Sequence, residues 1–295
     1  MNPITEIEFG LLRDFLRRET GITVPDSKQY LFSTRLGGIM DEWKCSSFSD
    51  LFLRLSGGDE ALVRFVIEAM TTHESGFYRE PHHFDVLCDV VLPGILERKL
   101  LTSTFLAPTI RILSAGCSFG QEAYTIAMCL ERWQEKHPSS VMPKISILGI
   151  DLSTRALERA RQGVYTALEL GFHLPQDVQD RYFRQEGDYW HLCPSIREQV
   201  TFQSGNLSRS LSEFGMYDVI FCRNVIIYFS PEEKIAVLDR LRNSLDADGA
   251  LFIGSAENLY GIEVGLASRM CEQSTYYEIP RSPIQTLQKV VPWSS

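Results

Sequence analysis

The sequence contains no long hydrophobic run. A membrane-spanning helix needs about 18 or more consecutive apolar residues, and the 295 residues contain no such stretch. The first ten residues are acidic and lack the basic and then apolar order of a secretory signal. These absences predict a cytoplasmic protein without membrane insertion.

Paired cysteines are also missing. The seven cysteines are scattered along the chain, and no two of them form a CxxC pair. A zinc site or a disulfide framework would require closer or regularly spaced cysteines. We therefore expect no metal, and most cysteines should be small buried residues in a reducing compartment.

The chain also lacks an excess of positive charge. The formal net charge is −9, whereas proteins that bind nucleic acids gain much of their affinity by neutralising phosphates. The charge therefore disfavours a nucleic-acid partner, although a local basic patch is compatible with an acidic total.

The patterns that are present divide the chain in two. Up to about residue 70 only helical spacing occurs, as in Phe9, Leu12 and Leu16. From about residue 82, helical patterns alternate with short apolar runs. The expected strands cover 110–113, 145–150, 200–203, 217–222 and 250–254. Such alternation predicts an α/β, Rossmann-like, mostly parallel sheet covered on both faces, preceded by a small all-helical domain.

The same patterns give expected boundaries. We assign residues 1–75 to the helical domain and 76–281 to the α/β domain. Short β-like segments predict a small β insertion at about 182–202. Residues 282–295 form a proline-containing tail without periodicity.

A strand, a glycine turn and a helix follow one another at residues 110–133. Gly116 and Gly120 allow the backbone to approach a ligand closely, and the helix start offers unpaired N–H groups. The spacing is GxxxG and lacks the GxGxxG of dinucleotide sites. We therefore expect S-adenosylmethionine rather than NAD, with Gly116 in the binding turn.

Two polar residues follow strands at the same predicted edge of the sheet. Asp151 is placed to accept hydrogen bonds from both ribose hydroxyls of an adenosyl group, or alternatively to cap a helix. Asn206 is placed to read the adenine edge, or alternatively to form a turn.

Arg223 and Asn224 stand at the end of a buried strand between two apolar runs. Burying an arginine without partners is costly, so a polar ligand or a structural salt bridge should satisfy it. Tyr228 lies on the same edge, where a core position is the plainer interpretation.

The segment 71–80 is polar although apolar helices flank it, and it joins the two predicted domains. Domain junctions are common ligand sites. Arg79 in this segment is suited to attract a carboxylate of a substrate or of a cofactor, whereas the plainer interpretation is a polar linker.

The chain resembles the CheR-type methyltransferases that act on chemotaxis receptors. The resemblance covers about residues 5–280. It rests on six segments in order: TTHESGFYRE (71–80), SAGCSFGQEAYTIA (114–127), GIDLS (149–153), ARQGVY (160–165), FCRNVIIYF (221–229) and GSAEN (254–258). The family transfers a methyl group from S-adenosylmethionine to glutamate side chains of membrane chemoreceptors, forming methyl esters for sensory adaptation.

The resemblance implies roles for individual residues. The cofactor-contacting positions are His73, Ser75, Arg79, Glu122, Asp151, Asn206, Leu207, Arg223 and Asn224. Arg79 and Tyr228 match the pair proposed to act near the methyl group, and are the expected catalytic residues. The implied partners are cytoplasmic receptor helices, and we expect a monomer.

Several positions depart from the family pattern. His73 replaces an asparagine and Ser75 a threonine of the TTNxTxFFRE segment, and Gln121 replaces the first glutamate of GEEPYS. Residues 1–80 carry 9 basic and 13 acidic residues, a net charge of −4. A basic receptor-binding face would therefore be local, for example at Arg13, Arg17 and Arg18. The insertion has one glycine, so dependence on a carboxyl-terminal receptor pentapeptide is not expected.

Other functions explain less of the sequence. The departures at His73 and Gln121 would suit a catalytically weak S-adenosylmethionine-binding regulatory or scaffolding module. An NAD-dependent oxidoreductase would place its acidic residue about 20 residues after the glycines, whereas 35 residues separate Gly116 from Asp151. A methyltransferase for nucleic acid or a small acid is a further alternative, but the motif for methylation of amino groups is absent and the net charge disfavours nucleic acid.

Overall fold

A computed structural model describes residues 3–102, 107–138, 143–171 and 173–280. The first part of the chain is helical. Its helices are α1 (Glu6–Thr20), α2 (Tyr30–Glu42), α3 (Phe48–Ser56) and α4 (Glu60–Met70). The side chains of Thr5 and Glu8 form a capping box at the start of α1, and Gly21 ends this helix with a φ of 75°.

These four helices share one apolar core. Phe9, Leu12 and Leu16 are all buried in it, as their spacing predicts. In α4 the apolar spacing of Leu62, Phe65 and Val66 would also place Phe65 inside, but Phe65 is 47% exposed. It lies one residue, or about 100° of rotation, away from the buried stripe of α4, and its ring instead lies 6.0 Å from that of Trp43.

The second part alternates helices and strands. Helix α5 (His82–Val86) continues through a π-helical turn (Leu87–Val91) into α6 (Leu92–Thr102). The later helices are α7 (Gln121–Lys136), α8 (Thr154–Gln162), α9 (Ala167–Leu170), α10 (Gln176–Tyr182), α11 (Pro194–Arg197) and α12 (Pro231–Asn243). The strands are β1 (Thr109–Ala115), β2 (Lys144–Asp151), β3 (Val164–Thr166), β4 (Phe183–Glu186), β5 (Tyr189–Leu192), β6 (Val200–Ser204), β7 (Tyr217–Cys222), β8 (Leu245–Ile253), β9 (Ala267–Cys271) and β10 (Ser274–Glu278).

Seven of these strands form the main sheet, in the order β6-β2-β1-β7-β8-β10-β9. The first five in this order are parallel, and β10 and β9 are antiparallel. Ser114 in β1 lies opposite Gly149 in β2 and Phe221 in β7. The carboxyl ends of the central strands therefore meet at one edge, and the predicted α/β fold with a preceding helical domain is confirmed.

A separate three-stranded sheet has the order β3-β5-β4. Strands β4 and β5 form the hairpin expected within 182–202. Two features differ from that expectation. Val164–Thr166 pairs with β5 although it follows α8 directly, and three residues are too few to show a strand pattern. Val200–Ser204 lies in the main sheet beside β2.

The carboxyl-terminal region differs more from the sequence pattern. The antiparallel hairpin of β9 and β10 has no predicted counterpart, because four of the five residues of β9 are polar or small and its middle is exposed. The sequence DADG at 246–249 is typical of a turn, but these residues belong to β8 because Tyr217 pairs with Leu245 and the register then shifts. The helical spacing of Ile235, Leu238 and Leu241 would place Ile235 inside, but it is 45% exposed.

The sequence SPEE at 230–233 predicts a capping box with proline at the start of helix α12, and the helix begins there with one difference. The side chain of Ser230 accepts a hydrogen bond from the backbone of Glu233, and proline occupies the first turn. The carboxylate of Glu233 does not complete the expected capping box, because it pairs with Arg240 at 3.0 Å.

The helices of the described residues include none with both the length and the apolar character that a bilayer crossing requires. The tail that we assigned to 282–295 lies outside the described residues.

Candidate active site

A cavity opens where the carboxyl ends of β1, β2 and β7 face the helical domain. All the residues that the sequence proposes for the site line this one cavity. They are His73, Ser75, Arg79, Gly116, Glu122, Asp151, Asn206, Leu207, Arg223, Asn224 and Tyr228. Residues separated by up to 155 positions in the chain thus meet at the predicted edge of the sheet.

The glycine turn after β1 forms one end of the cavity. The backbone N–H groups of Gly116 and Cys117 both donate to the carbonyl of Ile150, at 2.8 and 2.9 Å. Gly116 has a φ of +76°, and a Cβ added there would lie 2.5 Å from Cγ2 of Val225. A side chain is therefore excluded at this position by conformation and by space.

Asp151 is buried at the end of β2. Its Oδ2 accepts from the backbone of Ser118 at 2.8 Å and its Oδ1 from the backbone of Ser153 at 2.9 Å. Burial raises the pKa of Asp151, and these two hydrogen bonds act in the opposite direction. Ser153, not Asp151, caps α8, so the alternative of a helix-capping aspartate is wrong. Each carboxylate oxygen retains a lone pair for a further donor.

Arg223 lies at the end of β7 with a side chain only 2% exposed. Its guanidinium pairs with Glu122 and with Glu80, each at 3.0 Å. The structural salt bridge that the sequence left open is therefore present, and the side chain also lines the cavity. Nε of Arg223 is buried without a hydrogen-bond partner among the described residues.

The pKa values of the two carboxylates that flank Arg223 shift in opposite directions. Burial raises the pKa of Glu122, against the effect of Arg223 and of a 2.8 Å hydrogen bond from Ser114. Burial would also raise the pKa of Glu80, but hydrogen bonds from His83, Ser255 and Arg223 outweigh it and hold this pKa well below its usual range. Glu80 is therefore ionised at neutral pH.

The loop after β7 is held by a carboxylate that sequence reasoning did not assign to the site. Glu257 accepts from the backbone N–H groups of Gly254 at 2.7 Å, Asn224 at 2.9 Å and Ile227 at 3.2 Å. Asn224 has a φ of +58°, which is uncommon outside glycine. Glu257 thus fixes the loop that presents Asn224 and Tyr228 to the cavity. The only available signal was its presence in the GSAEN segment.

The segment 71–80 forms the opposite side of the cavity. The ring of His73 lies 5.2 Å from that of Phe119, and its Nε2 lies 3.0 Å from the hydroxyl of Thr71. Burial lowers the pKa of His73. Arg79 donates to the carbonyl of Glu74 at 2.9 Å.

Tyr228 is half-buried and lines the cavity. It does not belong to the hydrophobic core, so the plainer interpretation of this residue is wrong. Burial raises the pKa of Tyr228, and the nearby carboxylate of Glu74 raises it further. The phenol therefore remains protonated at neutral pH, where it is available as a hydrogen-bond donor.

Asn206 joins the two parts of the molecule. Its side-chain amide donates to the carbonyl of Glu19 at 2.8 Å and accepts from the backbone of Ser208 at 2.9 Å. The second bond is the turn that the sequence allowed, and the first attaches the carboxyl end of α1. Leu207 is buried beside it and gives this end of the cavity an apolar surface.

Some lining residues were missed. Thr20 and Ile22 come from the helical domain, and no sequence pattern connects them to a site 100 residues away. Ser118 has a φ of +51°, and its hydroxyl is buried without a partner among the described residues. An unpaired buried hydroxyl in a ligand-sized cavity is expected to find its partner in a ligand.

The cavity fits a nucleoside that carries an amino acid. Asp151 offers free lone pairs for ribose hydroxyls, Ser118 an unused hydroxyl, and Leu207 an apolar surface for a base. Gly116 leaves room for close approach. The predicted cofactor group therefore has matching partners at this edge of the sheet.

A second polar cluster lies beside the cavity. Ligand atoms of Glu80, His82 and His83 all lie within 4.8 Å of one another. The guanidinium of Arg223 already lies 3.0 Å from Glu80, and His83 is hydrogen-bonded to Ser274 at 2.8 Å. A metal ion would have to compete with a positive charge for the same carboxylate.

Comparison with known proteins gives one consistent family. The model described as "CheR methyltransferase, SAM binding domain" matches residues 73–275, and that described as "CheR methyltransferase, all-alpha domain" matches residues 7–71. The chemotaxis protein methyltransferase of Vibrio parahaemolyticus is 35% identical over 94% of this chain and 98% of its own. Chemotaxis protein methyltransferase 1 of Pseudomonas aeruginosa is 34% identical over 92% of this chain and 97% of its own.

Proposed function

The chain belongs to the CheR methyltransferase family, and we propose that the cavity is where it methylates glutamate side chains of chemoreceptors. The enzyme is an S-adenosylmethionine-dependent protein-glutamate methyltransferase of chemotaxis adaptation. The observation that carries the assignment of the site is the convergence of all eleven proposed residues on one cavity.

The wall formed by the strand ends is suited to hold the cofactor. Asp151 accepts hydrogen bonds from ribose hydroxyls with the lone pairs that the backbone leaves free. Gly116 and Ser118 border the amino-acid portion, and Leu207 contacts the base. On the opposite wall His73 and Ser75 complete the enclosure. When bound, the cofactor supplies an electrophilic methyl group on a sulfonium.

The chemistry requires positioning more than proton transfer. A glutamate carboxylate is ionised at neutral pH, so no general base is needed for its attack. Arg79 attracts this carboxylate, and the protonated phenol of Tyr228 orients it by donating a hydrogen bond. The sulfonium that the cofactor would supply is positively charged, so it would attract the ionised carboxylate that Arg79 and Tyr228 hold. A partly buried cavity strengthens this attraction relative to open water, and a fixed position of the carboxylate lowers the cost of reaching the reacting geometry.

We propose the receptor-binding surface from the distribution of charged residues on the helical domain. Cytoplasmic receptor helices would dock on the helical domain beside the cavity. Of the three arginines considered above, Arg13 pairs with Asp26 at 2.5 Å and Arg18 with Glu19 at 3.2 Å. Arg17 has no ion pair among the described residues, and is the strongest candidate for contact with an acidic receptor.

We also propose a domain boundary, an oligomeric state and a cellular compartment for the protein. The boundary between the helical and catalytic domains is placed at residues 75/76, and the catalytic domain runs to 281. The protein acts as a cytoplasmic monomer without membrane insertion or nucleic acid.

Dependence on a pentapeptide tether is not expected. The β4–β5 hairpin turns through Gly187 and Asp188 alone, and this tight turn leaves no extended loop to enclose a peptide. Titration calorimetry with a receptor carboxyl-terminal pentapeptide should give no binding at micromolar concentration. Micromolar affinity would show that the hairpin docks such a tether.

Calorimetry with S-adenosylhomocysteine tests the site. Hydrogen bonds to a charged acceptor are worth roughly 1.5–3 kcal/mol, so Asp151→Ala should weaken binding by about ten-fold to a hundred-fold. Asp188→Ala, at the tip of the hairpin, is the matched control and should bind as the wild type does. Methyl transfer to receptor-containing membranes should follow the same order. Wild-type binding without transfer would support the regulatory module instead.

A further inference from the structure

One carboxylate of the helical domain caps a helix of the catalytic domain. Oε1 of Glu68 in α4 accepts from the hydroxyl of Thr154 and from the backbone of Arg155, both at 3.1 Å. Its Oε2 accepts from the hydroxyl of Ser153. These partners are the cap and the first two residues of α8, 85–87 positions further along the chain. The first turn of a helix is where a carboxylate is favoured, because N–H groups there lack partners in the helix.

Ser153 connects this carboxylate to the cofactor cavity. The residue is 1% exposed, and its backbone N–H donates to Oδ1 of Asp151 at 2.9 Å. Its hydroxyl accepts from the backbone of Ala156 at 3.0 Å while it donates to Glu68. Ser153 is therefore fixed on both sides, and so is one of the two N–H groups that orient Asp151.

We propose that Glu68 is a positioning residue for cofactor binding, which acts through Ser153 on the carboxylate of Asp151. This proposal rests on the proposed function, in which Asp151 binds the ribose. Loss of Glu68 leaves Ser153 without its acceptor and the start of α8 without three hydrogen bonds. Asp151 then loses part of its preorganisation, although no atom of Glu68 lines the cavity.

The position of Glu68 connects the helical domain to the cofactor site. Because Glu68 belongs to the helical domain, the attachment of this domain and the affinity for the cofactor are linked. By the reciprocity of linked equilibria, a bound cofactor must strengthen the contact between Glu68 and α8 by the same factor.

A double-mutant cycle separates this route from a general loss of stability. Dissociation constants for S-adenosylhomocysteine would be measured by calorimetry for the wild type, Glu68→Ala, Ser153→Ala and the double variant. We expect each single change to weaken binding by about two-fold to ten-fold, the range for one hydrogen bond. The double variant should bind no more weakly than the weaker single variant, since both changes remove the same route.

The controls keep the outcomes distinct. Glu60→Ala changes an exposed acidic residue of the same helix and should not alter the affinity. Glu68→Gln retains one acceptor oxygen and should show the same non-additivity with a smaller loss. It takes the place of Glu68→Ala in the cycle if the alanine variant does not fold.

Two results would overturn the proposal: an unchanged affinity in the Glu68 variants, or losses that multiply in the double variant. Asp151→Ala, included in the same series, tests the proposed function separately. An unchanged affinity there removes Asp151 from the site, whereas a loss there combined with intact binding in Glu68→Ala removes only the coupling.

Discussion

The two walls of the cavity are built differently. The strand-end wall consists of Glu122, Asp151 and Arg223, whose charged groups are buried and bonded to the protein. The connector wall consists of the 71–80 segment, with Tyr228 beside it. Among the described residues the side chain of Arg79 on this wall has one hydrogen bond, to the backbone carbonyl of Glu74, and the residue is partly exposed.

The difference separates two tasks. A buried network has a fixed geometry, because each of its members is costly to leave unpaired. It is therefore suited to define where a cofactor lies. A partly exposed wall keeps its charged and phenolic groups free for an incoming carboxylate. Changes in the first wall should reduce stability, and changes in the second should reduce turnover while the fold persists.

The largest expected effect is a loss of stability when the strand-end wall is changed. Arg223→Met removes a buried guanidinium and leaves the carboxylates of Glu122 and Glu80, which are 14% and 20% exposed, without their shared cation. Removing one partner of a buried pair costs roughly 3–5 kcal/mol. Arg240→Met removes an ion pair of the same 3.0 Å length, but with a side chain 28% exposed. Its cost should be at most about 1 kcal/mol. Urea denaturation of both variants at neutral pH measures the difference, and equal losses would mean that burial does not distinguish the two pairs.

A smaller effect, on turnover, is expected when Tyr228 beside the connector wall is changed. Tyr228→Phe removes one hydrogen bond to the reacting carboxylate and should lower kcat by about ten-fold, since 1.4 kcal/mol corresponds to that factor. Affinity for S-adenosylhomocysteine and the melting temperature should remain those of the wild type. Tyr260→Phe removes a hydroxyl from a residue that is 95% exposed and should have no effect. Full turnover in Tyr228→Phe would exclude the phenol from catalysis.

The smallest expected effect concerns His73. Because burial lowers the pKa of His73 below 6.5, the unfolded chain binds a proton at this residue more readily than the folded one. The stability that neutral His73 contributes is therefore present above pH 6.5 and decreases as the pH falls towards the lowered pKa. The wild type should lose its advantage over His73→Asn between pH 7.5 and 5.

Denaturation curves at several pH values measure this advantage. His191→Asn, on the half-exposed hairpin, controls for the loss of an imidazole. A difference between the wild type and His73→Asn that stays constant with pH would contradict the assigned direction.

Much of the strand-end wall could be predicted because its signals are local. A strand, a glycine turn and a helix occupy the 28 consecutive positions from Thr109 to Lys136, and Asp151 directly ends the next apolar run. Parallel strands bring such ends together at one edge, whatever their order in the chain. The sequence therefore predicts which residues meet there.

The pairings between distant residues could not be predicted. Arg223 pairs with Glu80 and Glu122 at separations of 143 and 101 residues, and the sequence left a ligand and a salt bridge as alternatives. Glu68 and Glu257 are ordinary acidic residues by pattern, and only the packing of two elements gives them their partners. The connector wall depends on such packing throughout.

The site is also distributed along almost the whole chain, from Thr20 to Phe229, with Glu257 behind its last loop. During synthesis the chain emerges from its amino terminus, so the helical domain exists before the surface that it covers. A ribosome-bound chain that ends before Glu257 lacks the acceptor for two backbone N–H groups, those of Asn224 and Ile227, in the loop that carries Tyr228. Capture on immobilised S-adenosylhomocysteine would therefore separate folded chains that extend past Glu257 from products truncated before it.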